Sequence, residues 1–203
     1  MNTPRVDAGN IVGNVYDKYN TRNPIARALM RGFTDAVTDL YQGTGARSVL
    51  EVGCGEGLLA DHLIRRARPD RFEACDVALR PAPSLDPQLA LREASIYALP
   101  WPDQSFDLVI CCEVLEHLAD PAAGLAELAR VSARQVLIST PWEPVWRILN
   151  LARGRYLRAL GNTPGHVQHF SRRALLTLAA TRLDALRVRR PLPWTVILGD
   201  VRR

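Results

Sequence analysis

The run Ser48-Val49-Leu50-Glu51-Val52 passes without a break into Gly53-Cys54-Gly55-Glu56-Gly57, and a helical pattern from Leu58 to about Ala67 begins at once, with Leu59, Leu63 and Ile64 on one face. A β-type segment that turns on alternating glycines and opens a helix leaves a chain few folds to choose from. The glycines permit tight turning and close approach of a ligand to bare backbone at a helix N-terminus. Such a unit predicts the first strand and crossover helix of a parallel α/β sheet.

The flanking sequence repeats the alternation. Apolar residues at Ile25, Leu29, Phe33, Val37 and Leu40 recur at helical spacing behind Pro24, and Gln42-Gly43-Thr44-Gly45 ends that helix. Arg71–Val77 and Leu89–Ala94 read as strands, separated by a proline-rich stretch, Pro81–Pro87, too broken for a long helix. Phe106–Cys112 is a continuous apolar run of the type that a strand buried on both faces requires. Asp120-Pro121 caps a helix to about Val131, Gln135–Thr140 reads as a fifth strand, and Ser171 caps a helix beginning near Arg172. Ala185–Arg190 and Thr195–Val201 flank Pro191-Leu192-Pro193 and suit two last strands, one of them antiparallel. The connections should be right-handed.

Composition narrows the setting. The chain has 203 residues, 47% of them hydrophobic and 23% charged, which suits one domain with a sizeable core. No stretch is long and apolar enough to span a bilayer, and the polar start lacks the apolar run of a signal peptide. Cys54, Cys75, Cys111 and Cys112 fit neither a C-x-x-C metal pattern nor a secreted disulfide framework, so a reduced, cytoplasmic protein without a metal is expected. The net charge of +5 is unevenly divided. Residues 1–130 sum to −5, and residues 131–203 carry 13 Arg against Glu143, Asp184 and Asp200, for +10. A basic third admits nucleic acid, an anionic membrane or an acidic substrate as partner.

Two carboxylates define what the glycine loop can hold. Its spacing is G-x-G-x-G, with Leu58 where a dinucleotide fingerprint would want the third glycine. Glu51, beside the loop, would repel a pyrophosphate and welcome an ammonium group. Asp76, 19 residues past Gly57 and at the end of the next strand, stands where a carboxylate can accept both hydroxyls of a ribose.

VLEVGCGEG (49–57), the ACD triplet ending at Asp76 and LPWPDQSFDLVICCEVLEHLADP (99–121) together resemble the class I S-adenosylmethionine-dependent methyltransferases, in particular the ubiquinone-biosynthesis-like small-molecule group. The resemblance covers about residues 45–140. It implies a Rossmann-like, seven-stranded, mostly parallel sheet with flanking helices and its last strand antiparallel. It further implies an N-terminal helical cap over 1–44 and a methyltransferase domain over 45–203, with 141–170 as a substrate-side insertion or lid. Carried over by position, Gly53, Gly55 and Gly57 would pass under the methionine and ribose of S-adenosyl-L-methionine. Glu51 would order its amino group, Asp76 grip the ribose and Val77 pack on the adenine. Where the family usually has an acid for the adenine amine, this chain has Ser95, a weaker acceptor, and Ile96 would offer its backbone N–H to the ring. The backbone around Cys112 and Glu113 would accept from the methionine ammonium, and Tyr16 and Tyr19 would fold over the same end.

The sulfonium methyl is already electrophilic, so alignment is the main task and a base is needed only for an acceptor that must lose a proton. His117 would follow the fourth strand, where it either lines the reaction centre or plays a structural part. Within Asn162–Ser171, His166 and His169 are either substrate or base residues, by resemblance to the family's H-x-x-x-(F/Y)-(S/T) stretch, or loop residues capping carbonyls. Trp142, Trp146 and Tyr156 would stand over the acceptor pocket in an insertion with Arg147, Arg153, Arg155 and Arg158. That insertion is either an amphipathic lid or a basic helix that touches an anionic membrane or a lipid-like, phosphorylated substrate. The expected activity is methylation of a small molecule, at oxygen, with peripheral membrane contact as an option and nucleic acid not favoured. An RNA or protein methyltransferase, and a non-catalytic membrane-associated binding protein, are the alternatives. The oligomeric state is unknown from sequence.

Overall fold

The computed structural model describes residues 23–152 and 167–203. Their elements run in the order α1 (Pro24–Gln42), β1 (Ser48–Val52), α2 (Leu58–Ala67), β2 (Arg71–Asp76), β3 (Leu89–Glu93), β4 (Phe106–Cys112), a 3-10 turn (Leu115–His117), α3 (Pro121–Val131), β5 (Ser132–Pro141), α4 (Glu143–Ala152), α5 (Arg172–Ala179), β6 (Leu183–Arg189) and β7 (Trp194–Val201). The strands form one seven-stranded sheet in the order β3-β2-β1-β4-β5-β7-β6. β1 to β5 are mutually parallel, and β7 enters antiparallel between β5 and β6. The doubly wound sheet and its antiparallel last strand agree with the sequence reading, including Leu89–Glu93 as a strand after a helix-free crossover. The strand order, with β7 inserted between β5 and β6, is what the pattern of residues did not specify.

Helix boundaries follow local chemistry. The Asn23 side-chain oxygen accepts from the N–H groups of Ile25 and Ala26, and Pro24 sits at the first turn of α1. Asp120 accepts from Ala123 N–H at α3, and Ser171 from Ala174 N–H at α5. α2 is different: its N-cap is Gly57 at φ +79°, which has no side chain to cap the helix, and in the first turn the Ala60 N–H meets the Glu51 carboxyl of β1 instead.

The sheet separates two apolar layers. Leu50, Val52, Val109, Cys111, Val136 and Ile138 pack against Leu125 and Leu128 of α3 and Leu175 of α5. Val49, Leu108, Ile110, Leu137 and Leu198 pack against Phe33, Val37 and Leu40 of α1 and Leu59, Leu63 and Ile64 of α2. Successive residues of β1 and β4 therefore serve opposite layers, as a strand covered on both faces requires. α1 shares the second layer with the sheet, so the described part of 1–44 packs into the same core as the domain beyond it. His62 of α2 is half-buried, with Nε2 3.2 Å from Thr38 Oγ1 of α1. β1 has β2 on one side and β4 on the other, so the strand order reverses there and a crevice opens at the carboxyl ends of these strands.

Residues 94–105, which lead from β3 to β4, are held by Arg130 of α3. Its guanidinium donates to Leu99 O (3.0 Å), Trp101 O (2.9 Å), Asp103 Oδ1 (2.8 Å) and both oxygens of Glu127. Leu99 N–H in turn donates to Glu127 Oε1, and Trp101 Nε1 to Glu73 Oε2. A side chain that satisfies two loop carbonyls and two carboxylates cannot be removed without leaving polar groups poorly matched. Arg130→Ala is expected to lower unfolding free energy by about 2 kcal/mol, read from urea denaturation, and an unchanged midpoint would contradict this role.

Candidate functional site

Each of the three loop glycines takes a left-handed backbone: Gly53 φ +80°, Gly55 φ +55° and Gly57 φ +79°. The alternation in the sequence thus reflects three separate steric needs. Gly53 has a second reason, because a Cβ there would lie 2.2 Å from Val114 Cγ2. A Cβ at Gly55 would meet nothing within 4 Å, so the loop is open on that side. Backbone bonds fasten the loop to β2: Gly53 N–H and Cys54 N–H both donate to Cys75 O, at 2.7 and 3.1 Å.

Asp76 joins the same construction. Its Oδ2 accepts from Gly55 N–H at 2.8 Å and its Oδ1 from Ala78 N–H at 3.1 Å. Each oxygen keeps a further lone pair, so the carboxylate is oriented by backbone and can still receive hydroxyl donors. Val77, next in sequence, is 47% exposed, an apolar side chain open at the strand end. Across from it, Ser95–Ala98 forms a tight bridge in which Ser95 Oγ accepts from Tyr97 N–H at 3.3 Å. Ile96 is buried, whereas Tyr97 is exposed and its hydroxyl accepts from Asp120 N–H. Tyr97 was not singled out from the sequence; an aromatic beside two candidate adenine-side residues was the available signal.

Glu51 lies beneath the loop, 3% exposed, with Oε2 lacking a hydrogen-bond partner among the described residues. Burial pushes its carboxyl up to about 8; the Ala60 N–H opposes that rise and the charge of Asp76 adds to it. A neighbouring ammonium group would favour its ionised form.

β4 ends at Cys112, whose thiol burial pushes well above its ordinary range, and Cys54, Cys75 and Cys111 are likewise buried free thiols. Glu113 follows in a left-handed conformation, φ +61°. Its carboxylate accepts from Ser139 Oγ (3.1 Å) and Trp194 Nε1 (2.6 Å), and its N–H donates to Ser139 O (3.1 Å). Neither Ser139 nor Trp194 was a candidate in the sequence, where both look like ordinary strand residues. His117 closes the 3-10 turn and is exposed; Glu116 beside it is buried. The Glu116 carbonyl accepts from both Val167 and Gln168 N–H at 3.0 Å, so the segment before His169 is tied to the turn carrying His117. His169 itself is exposed.

Trp142 and Trp146 flank the start of α4. The Arg172 guanidinium lies 3.7 Å over the Trp142 ring, and Trp146 packs on Trp194 at a centroid distance of 5.8 Å. Tyr16, Tyr19, Tyr156 and His166 lie outside the described residues, as does most of the expected 141–170 insertion beyond α4. Among the described residues, no three His, Cys, Asp or Glu side chains are grouped as metal ligands, and no helix is long and apolar enough to cross a membrane.

Residues 50–138 match a family model described as "Methyltransferase domain". Residues 50–138 are thus similar to a methyltransferase domain, and relatives of this chain are named for S-adenosylmethionine. The domain's glycine cradle and lone buried carboxyl oxygen fit that cofactor. A "probable S-adenosylmethionine-dependent methyltransferase" of Mycobacterium tuberculosis is 38% identical over 99 residues, which cover 47% of this chain and 36% of that protein. A "Ubiquinone biosynthesis O-methyltransferase" of Alkalilimnicola ehrlichii is 36% identical over 103 residues, covering 48% of this chain and 42% of that one. The matched part thus spans well under half the length of these curated relatives. In fold, the chain is similar to magnesium protoporphyrin IX methyltransferase from Synechocystis with bound SAH, with a TM-score of 0.63 at 16% identity, covering 90% of this chain and 89% of that one.

The upward shift of the Glu51 carboxyl makes the stability of the domain depend on pH. From about 4.5, its ordinary value, to about 8, the folded state holds a proton that the unfolded chain has released. Stability therefore falls as pH rises through that window. Glu51→Gln should flatten this slope, measured as the urea midpoint at pH 5 and pH 8.5. A variant with the wild-type slope would show that Glu51 is not its source. Gly53→Ala, strained by φ and by Val114, should cost about 1–3 kcal/mol in the same assay.

Proposed function

We propose that the chain transfers the methyl group of S-adenosylmethionine to oxygen of a small-molecule acceptor with an apolar, lipid-like part. The observation that carries the proposal is the glycine loop, stitched to Asp76 above the unpartnered oxygen of buried Glu51. In this reading Gly53, Gly55 and Gly57 present backbone to the methionine and ribose, and Asp76 receives the ribose hydroxyls. Val77 and the Ser95–Ala98 bridge flank the adenine. Glu51 ionises to meet the ammonium group, directly or through water.

When bound, the cofactor supplies a sulfonium methyl that is electrophilic without further activation. What remains for the protein is to align the acceptor and exclude water. A hydroxyl acceptor must also give up a proton, and His117 or His169 takes it at a ring nitrogen. The printed names of relatives, Ubiquinone biosynthesis O-methyltransferase among them, support oxygen as the site of methylation. Ile148 of α4, 62% exposed, and the partly exposed Leu151 support an apolar acceptor. An anionic acceptor has less support, since Arg187, Arg189 and Arg202 pair with Asp200, Asp39 and Asp184.

Calorimetric titration with S-adenosylmethionine should give saturable binding, and Asp76→Ala should weaken it about tenfold or more. Absence of heat and of a thermal shift for the unaltered chain would sink the proposal. Across a panel of phenols, quinone precursors, sugars and carboxylic acids, release of demethylated cofactor is expected with hydroxyl acceptors of apolar character. Turnover confined to amines, or a pH–rate profile untouched by both His117→Ala and His169→Ala, would remove the oxygen reading and the base, respectively.

A further inference from the structure

β4 pairs with β5 as far as Cys112 opposite Ser139, and then the backbone turns sharply. The residue at that turn is Glu113, which has a Cβ and yet takes φ +61°. A side chain in that region is strained and persists only when its surroundings impose it. Three bonds do so: the backbone N–H to Ser139 O, Oε1 from Ser139 Oγ, and Oε2 from Trp194 Nε1 at 2.6 Å. The charge-assisted indole bond is the short member of the set. The turn so fixed presents Val114 to Gly53, where the separation leaves no room even for a methyl group.

Trp194 is itself immobilised. It is 3% exposed, with Phe33 of α1 at 5.0 Å on one side and Trp146 of α4 at 5.8 Å on the other. Its backbone pairs with Pro141, where β5 gives way to α4. One ring therefore joins the helix on the acceptor side, the last strand and the turn that abuts the glycine loop.

We infer that Glu113 is a positioning residue: its carboxylate, held by Trp194 and Ser139, fixes the Cys112–Val114 turn against Gly53 and so sets the affinity of the cofactor site. The inference rests on the cofactor reading given above and adds the residues that preorganise the site. It assigns the carboxylate no contact with ligand. What the turn requires toward Trp194 and Ser139 is then a side chain of this length with a hydrogen-bonding atom for each. Glutamine meets that requirement with its carbonyl oxygen toward the indole and its amide donating to the Ser139 hydroxyl.

S-adenosylhomocysteine binding, measured by calorimetry on the full chain, distinguishes these roles. Glu113→Gln should bind close to the unaltered chain. Glu113→Ala and Trp194→Phe, the latter keeping a ring between Phe33 and Trp146, should each bind about tenfold or more weakly. The double variant Glu113→Ala/Trp194→Phe should be no weaker than the weaker single variant, because both remove the same bond. Thermal melts run alongside identify any variant that fails to fold, and Trp194→Phe and Ser139→Ala then carry the test. Glutamine binding as poorly as alanine would mean that the charge itself meets the ligand, overturning the inference. Wild-type affinity in Trp194→Phe would overturn it as well. An unaltered chain that does not bind S-adenosylhomocysteine would instead overturn the cofactor reading, and the positioning role with it.

Discussion

The closeness of Gly53 to Val114 is the constraint on which the site depends. A methyl group on Gly53 would fall on Val114 Cγ2, so the loop after β1 packs directly against a side chain of the turn after β4. Two adjacent parallel strands thereby end in loops that touch. The three glycines belong to the first loop, and the Cys112–Val114 backbone forms the second. Asp76 and Cys75 fasten the first loop from β2, while Ser139 and Trp194 fasten the second from β5 and β7. The crevice is a product of the strand order, but its shape is a product of these side-chain and backbone ties.

Local signals made most of this readable. Three glycines at alternate positions correspond to three positive φ values, and Asp120, Ser171 and Pro24 mark helix starts by capping and by fixed φ. Phe106–Cys112 declares itself as the central strand because both of its faces are covered. What stayed hidden depends on pairing between distant segments. Nothing in Trp194-Thr195-Val196 says that the strand inserts between β5 and β6, since an antiparallel strand with burial on both faces carries the same residues wherever it pairs. For the same reason Trp194 and Ser139 gave no sign of meeting Glu113. Arg130 was hidden too: it reads as a solvated helix arginine, yet it closes a loop 29 residues away.

Glu113 shows how a motif residue can be read for its backbone while its side chain goes unassigned. The sequence reading used only the backbone of Cys112 and Glu113, because the resemblance concerns what a ligand accepts or donates there. The carboxylate had no assigned purpose. Its two donors come from strands that follow it by 26 and 81 residues, so no window of sequence contains the arrangement. The left-handed φ is the structural mark of that long-range demand: local preference alone would place glycine or asparagine there.

The uneven charge of the chain has a different meaning in three dimensions. The +10 carried by residues 131–203 suggested a basic acceptor side. Among the described residues, Arg187, Arg189 and Arg202 instead meet acids around the edge strand β6, where exposed pairs contribute little stability and charged side chains discourage pairing with another sheet. Among the described residues, Glu51, Glu116 and Glu143 are by contrast buried carboxyls. Desolvation holds Glu51 toward its neutral form, so its negative charge would develop when a cation enters. A sulfonium cofactor with an ammonium group is such a cation, and its charge would be met by a carboxyl that ionises in response. The paired arginines around β6 and the buried Glu51 are therefore separate features, and in the proposed reading it is Glu51 that bears on the cofactor.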